Sequence, residues 1–308
     1  MDARELDYDL PPELVAQHPA ERRDESRLLV YRRATGDVEH RVFRELPALV
    51  DALAVVNDTR VVPARIPIER PRGEVLLLEH LGDGVWEALA RPTRRLKPGQ
   101  RFGALELLEH LGEGRWRVRL EGEPAGHAPL PPYITAPLAD PERYQTVYAR
   151  DPGSAAAPTA GLHFTPELLA ELDVERVTLH VGLDTFRPLQ SETVEEHHIH
   201  GERYSVSPSA WTRIDAAPRV LAVGTTTVRV LETVARGAPL AGRTELFVTP
   251  GFEFRRVDHL LTNFHLPRST LLALVMAFAG VEQIRRIYAQ AIEERYRFYS
   301  FGDAMLIL

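Results

Sequence analysis

Apolar positions follow two different rhythms along this chain. Between residues 75 and 120 they fall in short runs closed by glycine-bounded turns, and "LLLEHLGDGVW" at 76–86 returns thirty positions later as "ELLEHLGEGRW" at 106–116. In each copy a strand, a Gly-Asp-Gly or Gly-Glu-Gly turn and a tryptophan-bearing strand make a β-hairpin. Two such hairpins predict a small antiparallel barrel.

Outside this stretch, apolar strands alternate with amphipathic helices. Strands are predicted at 176–181, 220–223 and 245–248, and "ALAVVNDTRVVPARI" gives a buried strand, a polar turn and a second strand. Helices are predicted at 166–172, 209–216, 227–236, 267–279 and 282–296, the first capped by Thr165 with Pro166 at its opening position. Alternation of this kind indicates an α/β layer. The expected fold class is therefore α/β: a layered α/β domain in two parts, 1–66 and 148–308, interrupted by an inserted small antiparallel β-barrel domain at 67–147.

Composition narrows the chemistry. With 308 residues, 44% apolar and 26% charged, the chain has the profile of an ordinary folded protein. Its longest nearly uncharged run, 269–281, falls short of the ~20 residues that cross a bilayer, and the acidic start "MDARELDYDL" is no signal peptide. A cytoplasmic protein with no membrane partner is expected. The absence of cysteine excludes disulfides, thiolate nucleophiles and iron–sulfur clusters. Lys97 is the one lysine against thirty-six arginines, with no GxxxxGK[ST] around it, so phosphate-loop and Schiff-base lysines become improbable. No GxGxxG signals a dinucleotide fold. Although the net charge is −7, "RPTRRLKPGQR" at 91–101 concentrates five positive charges in Arg91, Arg94, Arg95, Lys97 and Arg101. Two readings are open for it, an RNA contact and a solvated hairpin loop.

Ligands of open α/β sheets bind where strands end. The loops "NDTR" at 57–60, "GLDTFRP" from Gly182, "GTTT" at 224–227 and "TNFHLPRST" at 262–270 follow predicted strands or lead into helices. If they converge, one cleft holds Asp58, Arg60, Asp184, Arg187, Gly224, Thr225, Thr226, Thr227, Asn263, His265 and Arg268. "APTAGLHF" at 157–164 adds Thr159, Gly161 and His163. His163 is expected at an exposed loop-to-helix junction, where two readings are open, a group suited to a charged ligand and a histidine that merely hydrogen-bonds its own turn. "EEHHIH" at 195–200 invites a metal reading but lacks the HExxH spacing, and no metal site is expected. The end "YRFYSFGDAMLIL" interleaves aromatics and arginines before Asp303, reading either as base-stacking rings or as a buried terminal strand.

Eight of these segments appear in a recognisable order: "VVNDTRVVPARI", "LPPYI", "ERYQTVYA", "APTAGLHF", "HVGLDTFRP", "AVGTTTVRVLE", "TNFHLPRSTLLALVMAFAG" and "YRFYSFGDAM". From "YDLPPELVAQHP" to the last residue the chain resembles the S-adenosylmethionine:tRNA ribosyltransferase-isomerase family of queuosine biosynthesis. The resemblance implies transfer of the ribosyl part of S-adenosylmethionine onto 7-aminomethyl-7-deazaguanine at the tRNA anticodon wobble position, with isomerisation to an epoxycyclopentanediol. Epoxyqueuosine-tRNA forms, and adenine and methionine leave. Implied partners are that tRNA and S-adenosylmethionine, consumed as substrate with no further cofactor, and a monomer is expected.

Under this resemblance Asp58, His163, His265 and Asp303 are the acid–base candidates, with their roles unassigned. Arg60, Arg187 and Arg268 would grip a methionine carboxylate or an RNA phosphate, beside Thr159, Gly161, the Gly224 to Thr227 loop and Asn263. Three departures stand out: Asp184 replaces a glycine, "IHGERY" replaces the commoner "MHSE" pattern, and the segment after Leu120 is short. A non-catalytic RNA-binding protein and a metal-dependent hydrolase using Glu196, His197 and His200 are the competing readings.

Overall fold

The computed structural model describes residues 2–182, 193–194, 199 and 201–308. Its first strands are β1 (Arg27–Tyr31), β2 (Val38–Val42), β3 (Leu53–Asn57) and β4 (Thr59–Val61). Next come β5 (Arg65–Glu69), β6 (Arg72–Gly82), β7 (Val85–Arg91), β8 (Arg101–Phe102), β9 (Leu105–Gly112) and β10 (Arg115–Leu120). The chain continues through β11 (Asp151–Ser154), β12 (Val174–Leu179), β13 (Glu202–Ser205), β14 (Val220–Val223), β15 (Ala241–Thr244), β16 (His259–Asn263) and β17 (Ala304–Ile307). Helices are α1 (Leu46–Leu49), α2 (Pro166–Ala170), α3 (Pro208–Ala216), α4 (Thr225–Ala235), α5 (Thr270–Ala279) and α6 (Val281–Glu293).

A nine-stranded mixed sheet runs β15-β13-β12-β3-β14-β16-β17-β1-β2. Its central strands β12, β3, β14 and β16 are mutually parallel. The sequences of β3 and β14, LAVVN and VLAV, are buried throughout, as befits strands covered on both faces. Alternate residues feed two cores. Val55, Leu179, Ala222, Leu260 and Met305 pack with α4, α5 and α6 on one side, while Val56, Leu221, Val223, Leu261 and Leu306 pack with Phe43, Phe164 and Leu168 on the other. Helix α5 is apolar almost all round and sinks into the core; α6 buries Ile284, Ile287, Tyr288 and Ala291, a single stripe.

The second sheet is antiparallel, in the order β5-β6-β7-β10-β9-β8, around its own apolar cluster. Its two hairpins are the repeated segments. Asp83 and Gly84 turn at φ 50° and 70°, Glu113 and Gly114 at 49° and 82°, the left-handed pair that a two-residue type I′ turn requires. Equivalence extends to the side chains: Trp86 lies 4.7 Å from His80, and Trp116 4.8 Å from His110, between ring centres. Across the seam Arg243 pairs with Glu79 at 2.5 Å, binding β15 to β6.

One strand is displaced from its expected place. Residues 245–248 are irregular, and the strand is the polar segment Ala241–Thr244, which pairs with β13. The apolar residues that suggested a strand pack on the core beside α4, whose Arg229 takes up the Leu246 carbonyl at 3.0 Å. Edge pairing, not apolarity, decides which backbone joins the sheet.

Glu232 of α4 is fully buried, and its carboxylate accepts the backbone N–H groups of Arg255 at 2.9 Å, Arg256 at 2.9 Å and Val257 at 3.1 Å, besides the Arg236 guanidinium. These bonds fold the loop that leads into β16. Replacing Glu232 by alanine strands those donors, and we expect a loss of about 3–5 kcal/mol in urea unfolding. A variant within about 1 kcal/mol of the parent, the size of an ordinary surface change, counts against this role.

Candidate active site

The parallel strands bring their carboxyl ends to one edge of the sheet, and β17 and β1 begin there, since Asn263 is in register with Ala304, and Leu28 with Ala304. At the centre of this edge lies the buried side chain of Asn57. Its Oδ1 accepts the N–H of Leu179 at 2.9 Å and of Thr59 at 3.2 Å, while Nδ2 donates to the Leu179 carbonyl at 3.0 Å and to Thr226 Oγ1 at 3.2 Å. The next residue, Asp58, is also buried; its carboxylate accepts Thr178 Oγ1 at 2.7 Å and Arg150 Nε, whose own side chain is 67% exposed. Asp58 is thus a shielded carboxyl group with one partner open to water.

His163 occupies the turn Thr159–His163 that packs on the sheet face shared with Phe43 and Phe164, and helix α2 starts behind it as expected, with Thr165 capping Leu168 N at 3.2 Å. The exposed junction expected for His163 is corrected, because the ring is 4% exposed and lies 4.9 Å from the Phe43 ring. Ser26 Oγ donates to the Arg23 carbonyl at 3.0 Å, so His163 Nδ1–H donates to Ser26 at 2.8 Å, and Nε2 accepts from Asn263 Nδ2 at 3.1 Å. Burial first, then the Arg297 and Arg23 charges, push its pKa down to about 3. As folded here, His163 is a neutral brace between β1 and β16.

The other candidates divide into committed and open groups. His265, 7% exposed, shares a 2.7 Å hydrogen bond between Nε2 and Thr262 Oγ1, and burial brings its pKa to about 3. Asp303 uses its carboxylate on the Arg27 N–H at 3.0 Å and the Arg297 N–H at 2.8 Å, fixing the turn before β17. Gly161 lies under Tyr148, whose hydroxyl oxygen stands 1.9 Å from where a Cβ would be, so this glycine is required by packing. Gly224 starts α4 without a side-chain cap; Thr227 donates to the Val223 carbonyl at 2.8 Å, and Thr226 is held by Asn57. Thr225 is buried beside them, and Thr159 is half-buried. Arg60 pairs with Glu142 at 2.6 Å. Arg268 sits at φ 52°, with a buried Nε that has no hydrogen-bond partner among the described residues. Asn263 Oδ1 and the hydroxyls of Thr146 and Tyr148 are equally buried and unpartnered.

Asp184, Arg187, Glu195, Glu196, His197, His198 and His200 lie outside the described residues. Among those described, no group of three histidine or carboxylate side chains could hold a metal ion, and no helix is long and apolar enough to cross a membrane. Arg91, Arg94, Arg95 and Lys97 are exposed without an acidic partner among the described residues, whereas Arg101 pairs with Glu106 at 2.9 Å. Of the two readings left open for the terminal segment, the structure shows the buried one: Tyr296 and Phe298 are fully buried, and Phe301 and Tyr299 nearly so. Sequence reasoning passed over Asn57, Thr178 and His180. A polar residue breaking an apolar strand at its carboxyl end, as in "AVVN" and "VTLH", was the available signal.

Both buried histidines have native pKa values below the unfolded 6.5. Between pH 6.5 and about 3 the unfolded chain binds more protons than the folded one, so stability falls as pH falls, by at most about 1.4 kcal/mol per pH unit for each histidine. Urea midpoints across this window should show that slope, and His163→Gln should flatten it; equal slopes in parent and variant contradict the assignment.

Comparison with known proteins agrees with this architecture. The family described as queuosine biosynthesis protein matches residues 3–307. The S-adenosylmethionine:tRNA ribosyltransferase-isomerase of Rubrobacter xylanophilus is 53% identical, aligned over 100% of this chain and 98% of its own. The protein of the same name from Desulfitobacterium hafniense is 50% identical, with 100% of both chains covered. Among solved structures, the crystal structure of S-adenosylmethionine tRNA ribosyltransferase from Thermotoga maritima superposes with a TM-score of 0.58 at 38% identity, covering 99% of this chain and 100% of that one. With the match spanning nearly every residue and the same edge of the sheet gathering its motif loops, the chain belongs to the queuosine biosynthesis protein family.

Proposed function

We propose that the protein is an S-adenosylmethionine:tRNA ribosyltransferase-isomerase that moves the ribosyl group of S-adenosylmethionine to 7-aminomethyl-7-deazaguanine in tRNA, yielding epoxyqueuosine-tRNA, adenine and methionine. The observation that carries this reading is full-length identity to relatives of that name, at 50–53%. The carboxyl edge supplies what the substrates need. Asn263 Oδ1 and the hydroxyls of Thr146 and Tyr148 are buried polar atoms without a partner among the described residues, and a nucleobase carries donors and acceptors of the kind they lack. Arg268 Nε offers a buried N–H for the methionine carboxylate. Asp58, hydrogen-bonded to Thr178 and paired with Arg150, places a carboxyl group at this edge, the type of group that stabilises a sulfonium or a cationic sugar.

The segment 67–147 is read as the insertion that grips RNA, through Arg91, Arg94, Arg95, Lys97 and Arg101. An acidic protein must concentrate its positive charge to hold a polyanion, and four of these five cations are not neutralised by an acid among the described residues.

Two measurements follow. Incubated with S-adenosylmethionine and precursor-bearing tRNA, the protein should release adenine and methionine in equal amounts, as read by chromatography; S-adenosylhomocysteine as the main product, or no adenine, sinks the reading. Separately, replacing Arg94 and Arg95 by alanine should weaken tRNA binding and flatten the slope of log affinity against log salt by about 0.7–0.9 for each phosphate no longer neutralised. S-adenosylmethionine affinity should stay at the parent's value. Parental affinity and slope in the double variant would move the RNA-binding surface elsewhere.

A further inference from the structure

His180 follows the last residue of β12 and is the half-buried histidine of the carboxyl edge. Its Nδ1 lies 2.9 Å from Thr59 Oγ1. That hydroxyl donates to Ser154 Oγ, also at 2.9 Å, and Ser154 Oγ in turn accepts the Val181 N–H at 2.7 Å. With the threonine proton directed to Ser154, Nδ1 must carry the proton of the imidazole, and Nε2 is left with its lone pair. No described residue pairs with Nε2, and it is not among the enclosed polar atoms, so it reaches solvent. Gly153 packs flat against the ring: a Cβ there would stand 2.8 Å from Nδ1 and Cε1, so the backbone itself fixes the ring's place.

The surroundings suit proton transfer. Asp151 from β11, Asp58 from the end of β3 and Glu79 from β6 favour the imidazolium, while Arg203 from β13 opposes it; burial is the larger influence and holds the pKa below 6.5. His180 is therefore neutral at physiological pH with anions placed to stabilise the charged form once a proton arrives. It also stands at the seam of the two sheets, where Arg203 reaches the His80 carbonyl at 3.4 Å and Glu79 pairs with Arg243. Under the proposed function, a substrate bound at the α/β edge would meet here one gripped by the antiparallel sheet. His163, by contrast, has both nitrogens engaged inside the protein.

We infer that His180, through Nε2, is the general base that takes a proton from the sulfonium-bound 5′ carbon of S-adenosylmethionine, with Thr59 and Ser154 fixing its tautomer. This rests on the proposed function above. In the step, the C–H bond breaks, its electron pair stays on carbon beside the positive sulfur, and an N–H bond forms at Nε2. The imidazolium then holds a proton that the departing adenine can accept, which restores the base.

The test uses the full chain with S-adenosylmethionine and precursor-bearing tRNA, following adenine release against pH. Asparagine at 180 keeps a donor near the Nδ1 position but has no basic nitrogen, so His180→Asn separates a brace from a base. We expect turnover to fall about 10²- to 10⁴-fold, with melting temperature and tRNA affinity at parental values. The parent should show an acid limb with its midpoint below 6.5, absent from the variant, and added imidazole should restore part of the rate. Parental turnover in His180→Asn, or abolished turnover with the acid limb intact, overturns the assignment. Should that variant not fold, Thr59→Val, which removes the hydroxyl at Nδ1 together with its bond to Ser154 and leaves the imidazole in place, must shift the acid limb; an unmoved limb also overturns it. A parent that releases no adenine would instead refute the proposed function, so the two failures are distinguishable.

Discussion

One buried amide sets the geometry on which the rest of the molecule depends. Asn57 has no water to bond with, so its four hydrogen bonds must be found in protein, and they are found at the ends of β3 and β12, in β4 and in the first turn of α4. A group that costs about 1–3 kcal/mol for each bond left unmade locks those segments in one arrangement. Asp58, Thr59, His180 and Thr226 are the residues on either side of those bonds. Their mutual placement is a consequence of satisfying Asn57, and an isosteric aspartate there could not donate to Leu179 and Thr226 as the amide does.

Arginine does an unusual share of the structural bonding. Arg23 donates to the Leu162 and Glu142 carbonyls at 2.9 Å each, Arg143 to the Glu21 carbonyl at 3.1 Å, and Arg256 to the Ile214 and Ala217 carbonyls at 2.8 and 2.7 Å. A planar guanidinium can hold two loops at once, which the single ammonium of lysine does less rigidly. The near absence of lysine thus has a structural reading in which loops without regular backbone partners are stitched by side chains. Against that background the run of four cations at 91–97 without an acidic partner among the described residues stands apart by its density.

How much of this was legible depends on the range of the interaction. Turn chemistry and periodicity are local, so the hairpins closing at Asp83-Gly84 and Glu113-Gly114, the strand Val220–Val223 and the cap at Thr165 could be read from the sequence. The environment of His163 could not, because its partners Ser26 and Asn263 are 137 and 100 residues away. The strand expected at 245–248 failed for a related reason: apolar residues announce burial, while membership of a sheet is decided by a partner strand, here β13. The described motif loops gather at one edge of the fold, and family resemblance supplied the chemistry, but which imidazole has an unoccupied nitrogen is a property of packing alone.

Strand β17 lies between β16 and β1, with Leu28 opposite Ala304. During synthesis the hairpin of β1 and β2 leaves the ribosome long before its neighbour in the sheet exists, since the matching contact of Arg27 with Asp303 spans 276 residues. Until then β1 presents an unpaired edge and the apolar residues Leu28, Leu29 and Val30 to solvent, a template for mispairing with other nascent chains. Completion of the sheet, and with it the turn at Asp303 and the brace at His163, waits on the final strand. Maturation of the site is therefore a late event in folding, and the growing chain is the stage at which a chaperone would matter most.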